Sequence, residues 1–388
     1  MADRYLTTRR TVVLAAAGIW LIAATYGLAR FAYGLFVPAF RADFSLDGAT
    51  AGLIASLSYL AYCGGIVVAT VLSPRVGARL IAALAGVLAT VGTAAIAAAP
   101  DAGTLALGVA LAGSSTGVAS PPLAQAIGRS VKPGRRDRVQ TVVNAGTGLG
   151  VVVSGPVALL VQGDWRWAWA AFAVLSVVAA IAAAISVPTA RAERSAGPPR
   201  RRLPAGAGAL TVAAAVMGVA TAAVWTFGQD LLQTAGGQAS DASTWAWIVL
   251  GACGLLGAGA GDLVSRWGLG PAWRVLLLVA AATTAALAAW PGSPVVAIGA
   301  SGAFGAVYIG LTGILLIWST RVFEERPSTG VGVAFLALAV GQALGAPLLG
   351  ALADVADLRL AFVAAALVTL AACAVRPPRD ALPGAAAG

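Results

Sequence analysis

Apolar runs of about 20 residues recur from one end of the chain to the other, each long enough for an α-helix to cross roughly 30 Å of hydrocarbon. A water-soluble core cannot absorb that many. Of 388 residues, 59% are apolar and 10% charged, with a mean hydropathy of +0.88, whereas a soluble domain carries about 25% charge. The bilayer is therefore the solvent, and the fold class is an all-α integral membrane protein. The amino-terminal run beginning at Thr11, behind Arg4, Arg9 and Arg10, has the order of a secretory signal but continues to about Pro38, too long for one. It reads as a retained first helix.

Hydropathy and the breaks made by Pro, Gly and charge predict spans over 11–38, 49–72, 78–99, 104–128, 139–162, 166–188, 207–232, 243–264, 272–290, 294–319, 328–352 and 359–375. The distribution of basic residues tests that count of twelve, because cytoplasmic loops accumulate Lys and Arg. Twenty-one of the 25 fall on one side, including Arg75, Arg79, the cluster Arg129 to Arg138, Arg200 to Arg202, Arg266 and Arg321. The other side holds Arg41, Arg166 and Arg359, and Arg30 lies within a span. A missed or invented helix would scramble the split. It predicts a multi-pass protein of the cell membrane with both termini cytoplasmic. The formal charge of +10 thus belongs to topology and to anionic lipid, not to nucleic acid. Cys63, Cys253 and Cys373 lie inside apolar runs and the chain has no His, so neither a disulfide framework nor a metal site is expected.

The chain repeats at half its length. Ser73-Pro74-Arg75-Val76-Gly77 after the second span answers Ser265-Arg266-Trp267-Gly268 after the eighth, with Arg75 to Arg266 and Gly77 to Gly268 both 191 residues apart. Gly155-Pro156 in the fifth span answers Ala346-Pro347 in the eleventh, again at 191, and Asp164-Trp165-Arg166 answers Asp357-Leu358-Arg359. An even number of spans per half predicts two six-helix bundles of the same orientation, related by a pseudo-two-fold axis along the membrane normal. The expected organisation is a bundle over 1–188, a basic Pro-rich cytoplasmic linker over 189–206, and a second bundle with a short tail over 207–388.

With these landmarks the sequence resembles the major facilitator superfamily over essentially its whole length. The family's loop signature, Gly-x-Leu-Ala-Asp-Arg-x-Gly-Arg-Lys, is matched by Leu72, Arg75, Gly77 and Arg79 in the first half and by Gly261, Leu263, Arg266 and Gly268 in the second. Its aspartate is replaced by Pro74 and Ser265, and its first glycine by Thr70. The resemblance implies that Arg75, Gly77, Arg79, Arg266 and Gly268 belong to cytoplasmic gating loops. The Gly-Pro motif of the family's exporters is partly present as Gly146, Gly148, Gly150, Gly155 and Pro156. Gly155, Pro156 and Pro347 are read as helix-bending positions; small-residue packing accounts for them equally well.

Ionisable groups inside spans are costly and face a cavity or each other. Arg30 in the first span and Asp230 in the outer part of the seventh stand in repeat-equivalent helices and are expected to approach one another. Arg30 either attracts an anionic or carbonyl-bearing substrate through its fork of donors, or forms a fixed salt bridge, or snorkels to the interface. Asp230 is the candidate for proton coupling. Further inward candidates for substrate contact are Tyr33, Tyr59, Tyr62, Gln125, Asn144, Trp225, Gln229, Tyr308 and Gln342, whereas Trp165, Trp167, Trp169, Trp245 and Trp247 read as interfacial anchors.

The expected function is secondary active transport of a small organic solute by alternating access, proton-coupled, by a monomer. The sparse polar lining favours export of a hydrophobic, neutral or anionic compound. The alternatives are an uptake permease for a small organic anion or sugar, and a membrane sensor or scaffold that keeps the fold without transporting. No phosphate-cradling Gly-x-x-x-x-Gly-Lys-Ser/Thr loop occurs, so no nucleotide is called for, nor any other cofactor. An enzyme is not expected, since there is no His, no acidic pair within a span and no cysteine-based dyad.

Overall fold

A computed structural model describes residues 5–161, 164–189, 203–324, 327–375 and 377. The spanning helices are α1 (Thr8–Phe44), α2 (Gly48–Val76), α3 (Ala78–Ala97), α4 (Ala102–Ser130), α5 (Pro133–Leu160), α6 (Trp165–Ser186), α7 (Ala207–Ala235), α8 (Ser240–Trp267), α9 (Leu269–Ala289), α10 (Pro294–Val322), α11 (Pro327–Val355) and α12 (Leu358–Ala372). Eleven are long and apolar enough to cross a bilayer; α12 is apolar but has only 15 residues. At 1.5 Å per residue it is about 22 Å long. Helices α1–α6 and α7–α12 form the two six-helix bundles, with the central part of the expected linker, 190–202, outside the described residues. The face that carries the chain ends is called here the terminal face, and the opposite one the distal face.

A row of large apolar side chains on α2, Leu53, Leu57, Leu60, Val67 and Val71, is exposed on one side of the helix at spacings of three, four and seven. In water such a stripe would be buried; against lipid tails it is the expected outer surface. The repeat appears in the backbone as well. Gly77 (φ 106°) ends α2 and Gly268 (φ 82°) ends α8, both in the left-handed half of φ space that an L side chain rarely adopts. The signature's glycine is thereby explained locally: it lets the chain reverse within one residue and start the next helix.

Among the described residues, the bundles meet chiefly through three helix pairs: α2 with α11, α5 with α8, and α1 with α7. Small residues bring their backbones together. A Cβ on Gly52 would meet Pro347 Cα at 2.8 Å, and one on Gly251 would meet Val152 N at 2.8 Å. Ser56 Oγ donates to the Ala343 carbonyl at 2.7 Å, and Trp247 Nε1 donates to Ser154 Oγ at 2.9 Å.

The first helix differs from expectation. It continues past Pro38 to Phe44, so Arg41 sits on a helix and not in a loop. Pro38 costs one backbone hydrogen bond, but the turn beyond it is held by aromatic packing, with Phe40 and Phe44 at 5.0 and 5.9 Å from the Trp165 ring. Trp165, Trp169 and Trp247 are buried core residues, contrary to the anchor reading, whereas Trp167 and Trp245 are exposed as anchors should be.

Candidate functional site

Within α1 the segment Ala23–Phe31 winds as a π-helix. Such wide turns release main-chain acceptors from the ordinary ladder and gather at functional sites. Here the Thr25 carbonyl accepts from Thr116 Oγ1 of α4 at 2.8 Å, and Tyr26 Oη pairs with Ser120 Oγ at 2.8 Å. Gly27 lets this segment lie against Gly150 of α5 with no room for a side chain. The wide turns end on Arg30 and Phe31, which α1 thereby presents to the opposite bundle.

Arg30 is buried. Its guanidinium carbon lies 4.5 Å from the Tyr62 ring centroid, 4.8 Å from Tyr59 and 5.2 Å from Phe31, a setting in which ring quadrupoles stabilise the cation. Nη2 donates to Gln342 Oε1 of α11 at 2.8 Å, and Gln342 Nε2 reaches Tyr308 Oη of α10 at 3.4 Å. Nε has no hydrogen-bond partner among the described residues. Trp225 of α7 stacks on Phe31 with centroids 4.0 Å apart, and Tyr308 lies edge-on to it at 5.0 Å. Between Arg30, Phe31, Tyr33, Tyr59, Trp225 and Thr226 remains a cavity of about 10 Å³, room for one water. The arrangement is a closed aromatic box around one cation, built from both bundles.

Arg30 and Asp230 do not pair. Among the described residues they are the two buried charged side chains, yet Asp230 Oδ2 forms its ion pair with Arg41 Nη1, toward the distal face. The expectation failed because it placed Arg41 in a loop. Once α1 is helical to Phe44, Arg41 follows Arg30 by eleven residues, three turns along the same face, and takes the outer position opposite α7.

Six of the sequence-derived substrate residues meet in the box: Arg30, Tyr59, Tyr62, Trp225, Tyr308 and Gln342. Tyr33 lines the cavity, with its hydroxyl committed to the Ala51 carbonyl at 2.8 Å. The other three lie elsewhere. Gln229 Nε2 donates to the Ser243 carbonyl at 3.1 Å, tying α7 to α8. Gln125 accepts from Ser73 Oγ at 2.6 Å near the terminal face. Asn144 is exposed and accepts from Gln140 Nε2 at 3.3 Å. In the loops after α2 and α8, Arg75 and Arg266 are exposed, and Arg79 Nε donates to the Val187 carbonyl of its own bundle at 2.7 Å. Sequence reading missed Phe31, which presents no polar group, and Arg41.

The geometry agrees with sequence comparison. The model of the Major Facilitator Superfamily matches residues 19–339. The chain belongs to this superfamily. The similar solved structures named below are of transporters. The chain superimposes with TM-score 0.74 on a mutant of the nucleoside transporter NupG, at 12% identity, covering 93% of this chain and 98% of that one. It superimposes equally well, at 0.74 and 16% identity, on a bacterial homologue of the human lysosomal transporter Spinster in an inward-facing, occupied conformation, covering 95% and 96% of the two chains. An inward-facing, unoccupied structure of that homologue gives 0.68 at 15% identity. At these identities the likeness is one of fold. No curated protein matches this sequence.

Proposed function

We propose that the chain is a secondary transporter that moves a small organic solute by alternating access, and that the solute has a flat apolar body and one anionic or carbonyl acceptor. A single observation carries the reading. Arg30 is a buried cation with no carboxylate within ion-pair distance among the described residues, and burying an uncompensated charge costs several kcal/mol. A solute that brings the negative group relieves that cost, and the free Nε supplies a donor for it. The surrounding rings of Phe31, Tyr59, Tyr62 and Trp225 favour a flat apolar remainder. Those walls suit a compound that partitions into the bilayer, which supports export. Basic residues concentrated on the terminal face support a cytoplasmic location for it in the cell membrane.

Asp230 is the proposed proton site. Taking up a proton removes its charge from the pair with Arg41 and loosens the contact of α1 with α7 at the distal face, so proton binding and opening are linked. Counterflow in proteoliposomes tests the reading: labelled aromatic monocarboxylates should accumulate against excess unlabelled solute, and Arg30→Ala should abolish it. Protein that binds such solutes yet drives no counterflow would instead be a sensor with a transporter's fold.

A further inference from the structure

At the distal end of the α2–α11 contact, the Asp354 carboxylate accepts hydrogen bonds from the backbone N–H groups of Gly48 and Ala49, one per oxygen, both at 2.7 Å. Asp354 is the penultimate residue of α11, in the second bundle; Gly48 and Ala49 open α2, in the first. A carboxylate at the carboxyl end of its own helix opposes that helix's dipole, whereas at another helix's amino end it is stabilised. The amino end of α2 already has its own cap, Asp47, which accepts from Thr50 N at 2.7 Å. Asp354 takes two N–H groups that Asp47 leaves open. Contact is close enough that a Cβ on Gly48 would lie 2.8 Å from both Asp354 Oδ1 and the Gly350 carbonyl. The fold itself does not require this cap. At the repeat-related contact of α5 with α8, the amino end of α8, with Ala239 at its N-cap, has no side-chain cap among the described residues.

We infer that Asp354 is a latch that holds the distal side of the transporter closed by capping α2 from across the bundle interface. The bond crosses the surface that must part for the distal side to open, so it exists only in the closed state and favours that state. Removing it shifts the equilibrium toward distal opening without touching the Arg30 box. This rests on alternating access but not on the nature of the solute or on protonation of Asp230.

The test uses the full-length protein with Cys63, Cys253 and Cys373 replaced by Ala and spin labels at Gly103→Cys and Val295→Cys, exposed positions at the distal ends of α4 and α10. Pulsed electron resonance reads their separation with and without Asp354→Ala. A longer-distance population raised about tenfold is expected, since two charge-assisted hydrogen bonds are lost from the closed state alone. Asp354→Asn, similar in shape but uncharged, should give an intermediate shift and guards against a fold lost in the alanine variant. Distance distributions unchanged in folded Asp354→Asn and Asp354→Ala would overturn the latch. Failure of counterflow with the shift intact would count against transport and leave the latch standing.

Discussion

Arg30 in the first helix and Gln342 in the eleventh, 312 positions apart in sequence, share a hydrogen bond of 2.8 Å at the centre of the bundle interface. The amide satisfies one donor of the cation but contributes no charge. The bond ties the cation of one bundle to a neutral group of the other, and it must break or lengthen whenever the bundles separate.

Arg30→Met separates the two roles of this residue. It keeps a long apolar side chain among the rings and removes the uncompensated charge. The melting temperature of the unliganded protein should not fall, while affinity for an aromatic monocarboxylate should drop about 10- to 100-fold, the equivalent of one or two charge-assisted hydrogen bonds. Thermal melts with and without solute check both; a large loss of stability with binding intact would make Arg30 a structural residue.

Gly34 stands where α1 meets α7, and any Cβ there would collide with the Trp225 carbonyl. Gly34→Val should therefore destabilise the closed distal side by about 1–3 kcal/mol, the usual cost of overpacking. Labelling of a cysteine introduced at Thr226 with a membrane-impermeant reagent should become faster from the distal side.

Trp247 of α8 and Ser154 of α5 form a buried hydrogen bond across the interface at 2.9 Å. A double-mutant cycle with Trp247→Phe and Ser154→Ala, read by denaturation in detergent, should give a coupling energy of about 0.5–1.5 kcal/mol, as found for hydrogen bonds between membrane helices.

Much of this was legible in the sequence because the bilayer imposes a strict length and a strict charge asymmetry. The twelve helices and the half-length repeat follow from apolar runs, the basic clusters and landmarks such as Gly77 and Gly268, whose positive φ angles the repeat had already paired. The Arg30 box was legible in part. Intramembrane polarity singled out Arg30, Tyr59, Tyr62, Trp225, Tyr308 and Gln342, but polarity alone does not say which way a side chain points, so Asn144 and Gln125 were included although they lie elsewhere. The pairing of Asp230 depended on where the first helix ends. Pro38 reads as a stop, and only the packing of Phe40 and Phe44 on Trp165 carries the helix on to Arg41. Nothing in the sequence singled out Asp354, because its partners are backbone N–H groups, which leave no trace in side-chain pattern.

Two exposed caps outside the spans set an acid limit. The Thr50 hydroxyl and then its N–H hold the Asp47 carboxyl below its ordinary range, and the Thr104 N–H and hydroxyl do the same for Asp101. A carboxyl whose pKa is lower folded than unfolded lends stability that is present above its unfolded pKa, about 4, and lost as pH falls through that value toward the folded one. Melting temperature should be flat from neutral to mildly acidic pH and fall below about pH 4; Asp47→Asn with Asp101→Asn should make that fall shallower.

The central claim is that two bundles open around the Arg30 box to one face at a time. Distances between spin labels on both faces test it most directly, with one pair at Gly103 and Val295 on the distal face and another at Gly134 and Thr320 on the terminal face, all in protein carrying Gly34→Val or Asp354→Ala to move the equilibrium. Lengthening of the distal pair together with shortening of the terminal pair is the predicted result. Simultaneous lengthening of both pairs, or movement of one without the other, would contradict it.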